Sequence, residues 1–334
     1  MKLGRVLLAA ALLGICAACA FAAWWLHHPL ELAADTAEVS IEPGTPPRDI
    51  AQAWVHAGVQ APPLWLYEWF RWSGQARRIR AGSYEIDRYT TPIALLDKMV
   101  RGDETQAVVR LIDGWTFRQF RAELAKADAL KPTTAAMSDA QIMEAIGAAG
   151  VPPEGRFFPD SYAYSKGSAD LAVLRRAYRA MQTRLDAAWL ERAPDTPLRS
   201  ADDALVLASI VEKETGAAAD RGKVAGVFAN RLRNGMPLQT DPTVIYGLGA
   251  SFDGNLRKRD LQADTPFNTY TRSGLPPTPI AMPGKAALLA AVHPDATKAL
   301  YFVARGDGSS EFSATLAEHN RAVNLYQRGG QRGR

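Results

Sequence analysis

Cysteine is nearly absent from this chain. Its 334 residues hold two, Cys16 and Cys19, both inside an apolar N-terminal run. The remainder therefore offers no disulfide framework, thiolate metal site or thiol nucleophile. Histidine is sparse: His27, His28, His56, His293 and His319 are scattered. No His-Glu-x-x-His, phosphate-loop or dinucleotide pattern occurs, so metalloenzyme and nucleotide-binding readings find no support, and no cofactor or metal is expected. A dense basic stripe is also missing. The net charge of +4 is spread along the chain, which argues against a nucleic-acid binder. Such a mild excess suits an anionic polymer or a membrane surface. No internal repeat is visible.

What is present is ordinary for a folded protein: 47% hydrophobic and 22% charged residues, in a chain long enough for two or three domains. Residues 1–5 carry Lys2 and Arg5, and residues 6–26 carry no charge. As a helix that run extends roughly 31 Å, about the hydrocarbon thickness of a bilayer. Positive charge ahead of it predicts a single-pass anchor with the N-terminus in the cytoplasm and the body outside. Trp24 and Trp25 fall at its far end, where interfacial aromatics collect. A cleaved signal peptide, with Ala20 and Ala22 near the cut, is the competing reading.

Beyond a linker at 27–38, the pattern predicts a strand from Val39, helices over 48–57 and 62–72, and a strand over 79–86. Strand, helix, helix, strand makes a small α+β module over 39–105. Its order resembles the LysM fold, which binds N-acetylhexosamine polymers; a spacer is the alternative. A helix over 91–100 follows. Residues 106–328 read as a mixed α+β domain, with a strand over 106–112, a helix from Phe117, a helix after Asp139, a loop of exposed-type chemistry over 155–162, and a long helix over 171–193. The tail at 329–334 reads as disordered.

The centre of that domain is the run from Leu205 to Thr215 and Gly216. A helix is expected to start after Asp202 or Asp203, either of which can cap it. At roughly 100° per residue, Val206, Leu207, Ile210 and Val211 gather on one side, with Glu214 in that arc and Glu212 opposite it. A carboxyl on the buried stripe loses water, so its pKa rises, as a general acid requires. The plain alternative is a helix-end Glu that reaches solvent or pairs with an Arg. Gly216 can stop the helix just beyond. A second helix is expected over 223–232. The polar run Gln239, Thr240 and Asp241 lies between Pro237 and Pro242 and suits sugar hydroxyl and amide recognition; a capped turn explains it equally. Tyr270 precedes a proline-dense loop over 274–284 that suits a cleft wall, and a buried strand is expected over 300–304.

These residues carry a resemblance. The order Glu154-Gly-Arg-Phe-Phe-Pro-Asp160-Ser-Tyr162, Ala208-Ser-Ile-Val-Glu212-Lys-Glu214-Thr215, Asn230-Arg231-Leu, Leu238-Gln-Thr-Asp-Pro-Thr-Val-Ile-Tyr246-Gly, Asn268-Thr-Tyr270 and Gly274-Leu-Pro-Pro closely resembles the endolytic transglycosylase MltG (YceG-like) family over nearly the whole chain. The resemblance implies a lytic-transglycosylase-like active site that cleaves the β-1,4 bond between N-acetylmuramic acid and N-acetylglucosamine within peptidoglycan strands, without water, leaving 1,6-anhydromuramic ends. It implies Glu214 as the catalytic residue, followed by Thr215 where other lytic transglycosylases carry Ser. Expected substrate-binding residues are Gln239, Thr240, Asp241, Tyr246, Asn268 and Tyr270, with Asp160 and Tyr162 on the cleft edge. It also implies a bacterial inner-membrane protein with its catalytic domain in the periplasm, partnered by glycan strands and cell-wall synthases and active in ending nascent strands. Departures from the family pattern are Asp113, Phe267, Thr278 and Met282, the last two bearing on the cleft wall. Two rival readings stay open. A muramidase would need a second carboxylate, Asp160 or Asp241; a non-enzymatic scaffold would bind wall glycan without cleaving it.

Overall fold

The computed structural model describes residues 2–214 and 217–328. The expected Glu-Thr pair at Thr215, the stop at Gly216 and the disordered tail fall outside the described residues. The chain is mixed α+β and divides into two units. The first comprises residues 1–108, 128–131 and 163–168, and the second comprises 109–127, 132–162 and 169–334.

The first unit opens with α1 (Lys2–His27). Its stretch Ala10–His27 has a mean hydropathy of 1.7, long and apolar enough to cross a membrane; a signal sequence has the same character. Next come β1 (Thr36–Ile41), α2 (Pro47–His56), α3 (Pro63–Trp72), β2 (Gly82–Asp87) and α4 (Pro92–Arg101). Strand β1 starts inside the stretch read as linker. It alternates strictly: Ala37, Val39 and Ile41 are buried while Thr36, Glu38 and Ser40 are exposed. That period places one face on the core. The two strands pair antiparallel, Val39 opposite Tyr84. Helices α2 and α3 each begin with proline, whose missing N–H and fixed φ suit a first turn. Thr91 caps α4 by accepting from Ala94 N at 3.2 Å, and Gly102 ends it with a left-handed φ of 74°. The core gathers Trp54, Leu66, Phe70, Tyr84, Leu95 and Met99, all fully buried. Each such side chain contributes about 1.5–3 kcal/mol by leaving water.

Along the rest of the chain run β3 (Gln106–Arg110), α5 (Phe117–Lys126), α6 (Asp139–Ala145), β4 (Ser161–Ser165), α7 (Asp170–Leu190), α8 (Ala201–Glu214), α9 (Arg221–Arg233), α10 (Asp241–Leu248), α11 (Lys258–Gln262), α12 (Lys285–Val292), β5 (Tyr301–Ala304), β6 (Ser310–Ser313) and α13 (Leu316–Val323). Strands β3 and β4 pair with one another, as do β5 and β6. The second unit is built around α8, with α7, α9, α10 and α12 packed on it. Every residue from Ala204 to Val211 is buried. The one-sided apolar stripe expected from the wheel is therefore corrected: α8 is covered all round, as a helix apolar on every side must be. Its one polar side chain in that stretch is satisfied. Ser209 Oγ donates to Val206 O at 2.7 Å and accepts from Ile280 N at 3.0 Å.

Two further expectations are corrected. The cap of α8 is Ser200: its Oγ accepts from Asp203 N at 3.1 Å, while Asp203 accepts from Arg199 N at 2.8 Å. Asp202 instead pairs with Arg156 at 2.7 Å. The segment 155–162 is no exposed loop either, since Phe157, Phe158 and Tyr162 are buried. Its glycine explains part of this. Gly155 has a φ of +79°, and a Cβ there would lie 2.4 Å from Pro279, so the segment lies close against the proline-rich loop.

Candidate active site

Glu214 is the last residue of α8. Its position follows from the burial of the turns before it, which carries the carboxyl to the end of the helix at a cavity of about 580 Å³. Arg231, Gln239, Asp241, Tyr270, Tyr301 and His319 line that cavity with Glu214. Thr240 Oγ1 donates a hydrogen bond to Glu214 Oε1. Loss of water raises the Glu214 pKa above the ordinary carboxyl range, and the Asp241 charge adds to the rise. The Thr240 bond and the Arg231 charge pull it back.

The loop before α10 is held from several sides. Thr240 occupies the N-cap position of α10 yet makes no side-chain cap, its hydroxyl being directed to Glu214. Its N–H donates to Thr269 Oγ1 at 3.1 Å, and Thr243 Oγ1 lies 2.9 Å from the same oxygen. Gln239 has a φ of 50°, in the left-handed region, which costs a residue with a Cβ about 1–2 kcal/mol. The conformation is held by Gln239 N donating to Thr269 O at 3.0 Å. From the other side, Arg231 Nη1 donates to Leu238 O at 2.9 Å and to Gln239 Oε1 at 3.3 Å, while its Nε donates to Leu300 O at 2.7 Å. Strain held by surrounding bonds is frequent at sites where side chains must be aimed. Tyr270 Oη donates to Asp241 Oδ1 at 2.6 Å, which joins two polar groups of the cavity wall.

The structure thus brings Glu214, Gln239, Thr240, Asp241 and Tyr270 together. The other expected residues do not line that cavity. Asn268 is buried, with its amide donating to three backbone carbonyls (Asp260, Leu261 and Ala263) and its Oδ1 accepting from Tyr270 N. It therefore shapes the loop, and at 1% exposure it is covered in this conformation. Asp160 accepts from Ser161 N at 2.8 Å and stands 3.8 Å from Arg184. Tyr162 Oη, buried, donates to Phe158 O at 2.7 Å. Tyr246 lines a separate cavity of about 690 Å³, together with Thr116, Arg118, Glu154 and Phe252. Met282, read as a cleft-wall departure, is fully buried and paired through its backbone with Gly114 and Trp115. Glu212 reaches the start of α12: Oε2 accepts from Gly284 N at 2.9 Å, with Arg221 4.0 Å away.

Sequence reasoning missed three cavity residues. Arg231 continues the buried positions Val224, Val227 and Phe228 of α9 in steps of three and four. A cation on an apolar stripe was a signal available in the pattern. His319 stacks on Tyr301 at 5.3 Å, and its Nδ1 is buried without a hydrogen-bond partner among the described residues. Nothing local in the sequence ties Tyr301 and His319 to Glu214, because β5 and α13 reach the cavity only through the tertiary fold. Among the described residues no group of three His, Cys, Asp or Glu side chains is arranged to hold a metal.

A family model described as the YceG-like family matches residues 39–325. The chain belongs to the YceG-like family. A relative from Bacillus subtilis (strain 168), named endolytic murein transglycosylase, is 42% identical over 175 residues, covering 52% of this chain and 48% of its own length. One of the same name from Streptococcus pneumoniae serotype 2 (strain D39) is 29% identical over 175 residues, covering 51% of this chain and 31% of its own. This chain thus spans about half, or less, of the length of those relatives. The 2.6 Å crystal structure of the yceG-like protein lmo1499 from Listeria monocytogenes superposes with a TM-score of 0.53 at 26% identity, covering 86% of this chain and 98% of that one.

Proposed function

We propose that this protein is an endolytic peptidoglycan lytic transglycosylase anchored in the inner membrane by α1, with Glu214 as its acid and base. The observation that carries the reading is the state of Glu214: a half-buried carboxyl at a helix end, bonded by the Thr240 hydroxyl, in a cavity lined by polar groups suited to sugars. Relatives named endolytic murein transglycosylase support the substrate. Protonated Glu214 gives its proton to the glycosidic oxygen as the C1–O bond breaks, and the N-acetylglucosamine leaves with a free 4-hydroxyl. Charge developing at the muramic C1 is shared with the sugar's own N-acetyl oxygen. The Glu214 carboxylate then takes the proton of the muramic 6-hydroxyl, whose oxygen closes on C1. The acid is regenerated and no water enters. An intramolecular nucleophile has a high effective molarity, which replaces a second catalytic carboxylate.

In this reading Gln239, Asp241 and Tyr270 orient the sugars, and Thr240 sets the Glu214 rotamer. Residues 39–105 form a LysM-like module, 106–328 form the catalytic domain, and the enzyme ends or releases nascent strands beside cell-wall synthases. One observation favours a second reading. Asp241 lines the same cavity and its charge acts on Glu214, so it is positioned to serve a muramidase that uses water. Mass analysis of glycan strands digested by the full chain and by Glu214→Gln decides the matter. Anhydro-ended fragments that vanish in the variant support the transglycosylase. Products heavier by one water per new end establish the hydrolase. An unchanged digest in the variant removes Glu214 from the chemistry.

A further inference from the structure

In the first unit, tryptophan is concentrated where α1 meets α3. Phe21, Trp25, Trp65, Glu68, Trp69 and Trp72 line a groove of about 530 Å³ between the two helices. The Trp65 ring stands edge-on to Phe21 at 5.7 Å and to Trp25 at 5.6 Å. This surface is open: Trp72 is 78% exposed and Leu64 62%. Large apolar side chains grouped at such exposure mark a surface made for contact.

The neighbouring charge says what kind of contact. Arg71, Arg77, Arg78 and Arg80 are all exposed within ten residues at and beyond the end of α3. The Arg71 guanidinium lies 5.7 Å from the Trp72 ring. Glu68, the only carboxylate among the described residues of the groove lining, is engaged by Arg71 at 3.4 Å and by Trp72 Nε1 at 3.0 Å. Aromatics with an apolar body and a polar edge, bordered by arginine, match the boundary between acyl chains and anionic headgroups. The groove is also continuous with α1, whose residues 10–27 are apolar enough to cross a bilayer. A peptide or protein partner would explain the aromatics but not that continuity.

We propose that the outer face of α3 is a membrane-docking surface: Leu64, Trp65 and Trp72 sit in the bilayer interface, the α1–α3 groove takes a lipid acyl chain, and the arginines bind anionic headgroups. The inference rests on the reading of α1 as an anchor and goes beyond it. A lone anchor leaves the following module free to swing, whereas a docked α3 holds it flat on the lipid surface.

The test uses the full chain with both native cysteines replaced (Cys16→Ser, Cys19→Ser) and one new cysteine carrying the fluorophore NBD. The positions are Phe21→Cys on α1 and Trp72→Cys on α3, both exposed in the native fold and so removable without opening a core. Protein is reconstituted into phosphatidylethanolamine–phosphatidylglycerol vesicles with doxyl lipids as depth-dependent quenchers. The expected result is loss of emission at both positions, position 72 responding more to a doxyl near the headgroup than to one deep in the chain. Quenching at 21 with none at 72 overturns the docking surface and leaves the anchor standing. Quenching at neither position overturns the anchor reading, and this inference with it.

Discussion

Two carboxyls of the second unit, Glu214 and Glu154, share one physical condition and differ in surroundings. Both lose water, and both have raised pKa values for that reason first. Each accepts from a hydroxyl, Glu214 from Thr240 and Glu154 from Tyr246 at 3.2 Å. Glu154 is pushed up from 4.5 to about 7 and also accepts from Phe117 N at 3.0 Å, at the start of α5. Desolvation alone therefore does not identify the acid. Glu214 stands at a helix end in a cavity with Arg231, Gln239, Asp241 and Tyr270. Glu154 is 7% exposed and joins the start of α5 to α10, with Tyr246 as the link. Both carboxyls border a cavity, but Glu154 is also tied to the backbone of α5 and to Tyr246 of α10, whereas Glu214 is held by the Thr240 side chain.

The sharpest way to break that comparison is to neutralise each in turn. Glu214→Gln is expected to lower turnover on glycan strands by about 10²–10⁴-fold, the usual contribution of a positioned acid–base group, with an unfolding midpoint near that of the parent. Glu154→Gln should keep most of the turnover and change how stability depends on pH. Its folded pKa lies above its unfolded value, so its contribution is fully present below pH 4.5 and is lost as pH rises towards 7. Integrated over that window the loss is on the order of 3 kcal/mol. Denaturant unfolding of parent and variant between pH 4 and 8 should show the parent losing that much more as pH rises to about 7, with no further difference building up above it. Equal losses of turnover in the two variants would mean that the second cavity takes part in the chemistry.

A subtler probe is Thr240→Val. It removes the Thr240 hydroxyl, which donates to Glu214 and lowers its pKa. The pKa should move further up, and the alkaline limb of the kcat/KM profile, where the acid form is lost, should shift to higher pH. Stability should fall by only about 1 kcal/mol, the net value of a typical hydrogen bond. An unmoved limb would detach Thr240 from the titration of Glu214.

Glu214 was singled out from a one-sided stripe that α8 does not have; what sets it apart in the fold is that it ends a helix whose preceding turns are buried on every side. The β-α-α-β order of the first unit was legible through periods of two and 3.6. The cap of α8 was misread because Asp202 and Asp203 both look like caps. Which of the three adjacent polar residues turns towards the free N–H depends on Arg156 and Arg199, and the pattern does not record them. Asn268 lies outside the cavity lining, tied to three carbonyls; an Asn in that position and an Asn that binds an acetamido group look alike in a sequence. Short elements were the hardest. Strand β4 and helix α13 are set by what they pack on, and His319 stayed out of view with α13; Tyr301 lies on the expected strand β5, but nothing in the pattern says that this strand borders the cavity.

The smallest expected effect comes from Tyr246→Phe, and it tests whether Glu154 is structural. The substitution keeps the ring, which packs edge-on against Phe267 at 5.0 Å, and removes only the hydroxyl. Because that hydroxyl bonds the carboxyl and lowers its pKa, its loss should move the Glu154 transition upward, so the stability lost with rising pH is lost later. The cost at low pH should be about 1 kcal/mol or less, since Glu154 keeps its bond from Phe117 N. Turnover should stay within a factor of about two, because a bond worth so little in stability leaves α10 and the Thr240 contact in place. A larger drop in turnover, with the unfolding curve unchanged, would mean that Tyr246 reaches the substrate from the second cavity, as the sequence had suggested. The two carboxyls would then stand on opposite walls of one extended cleft.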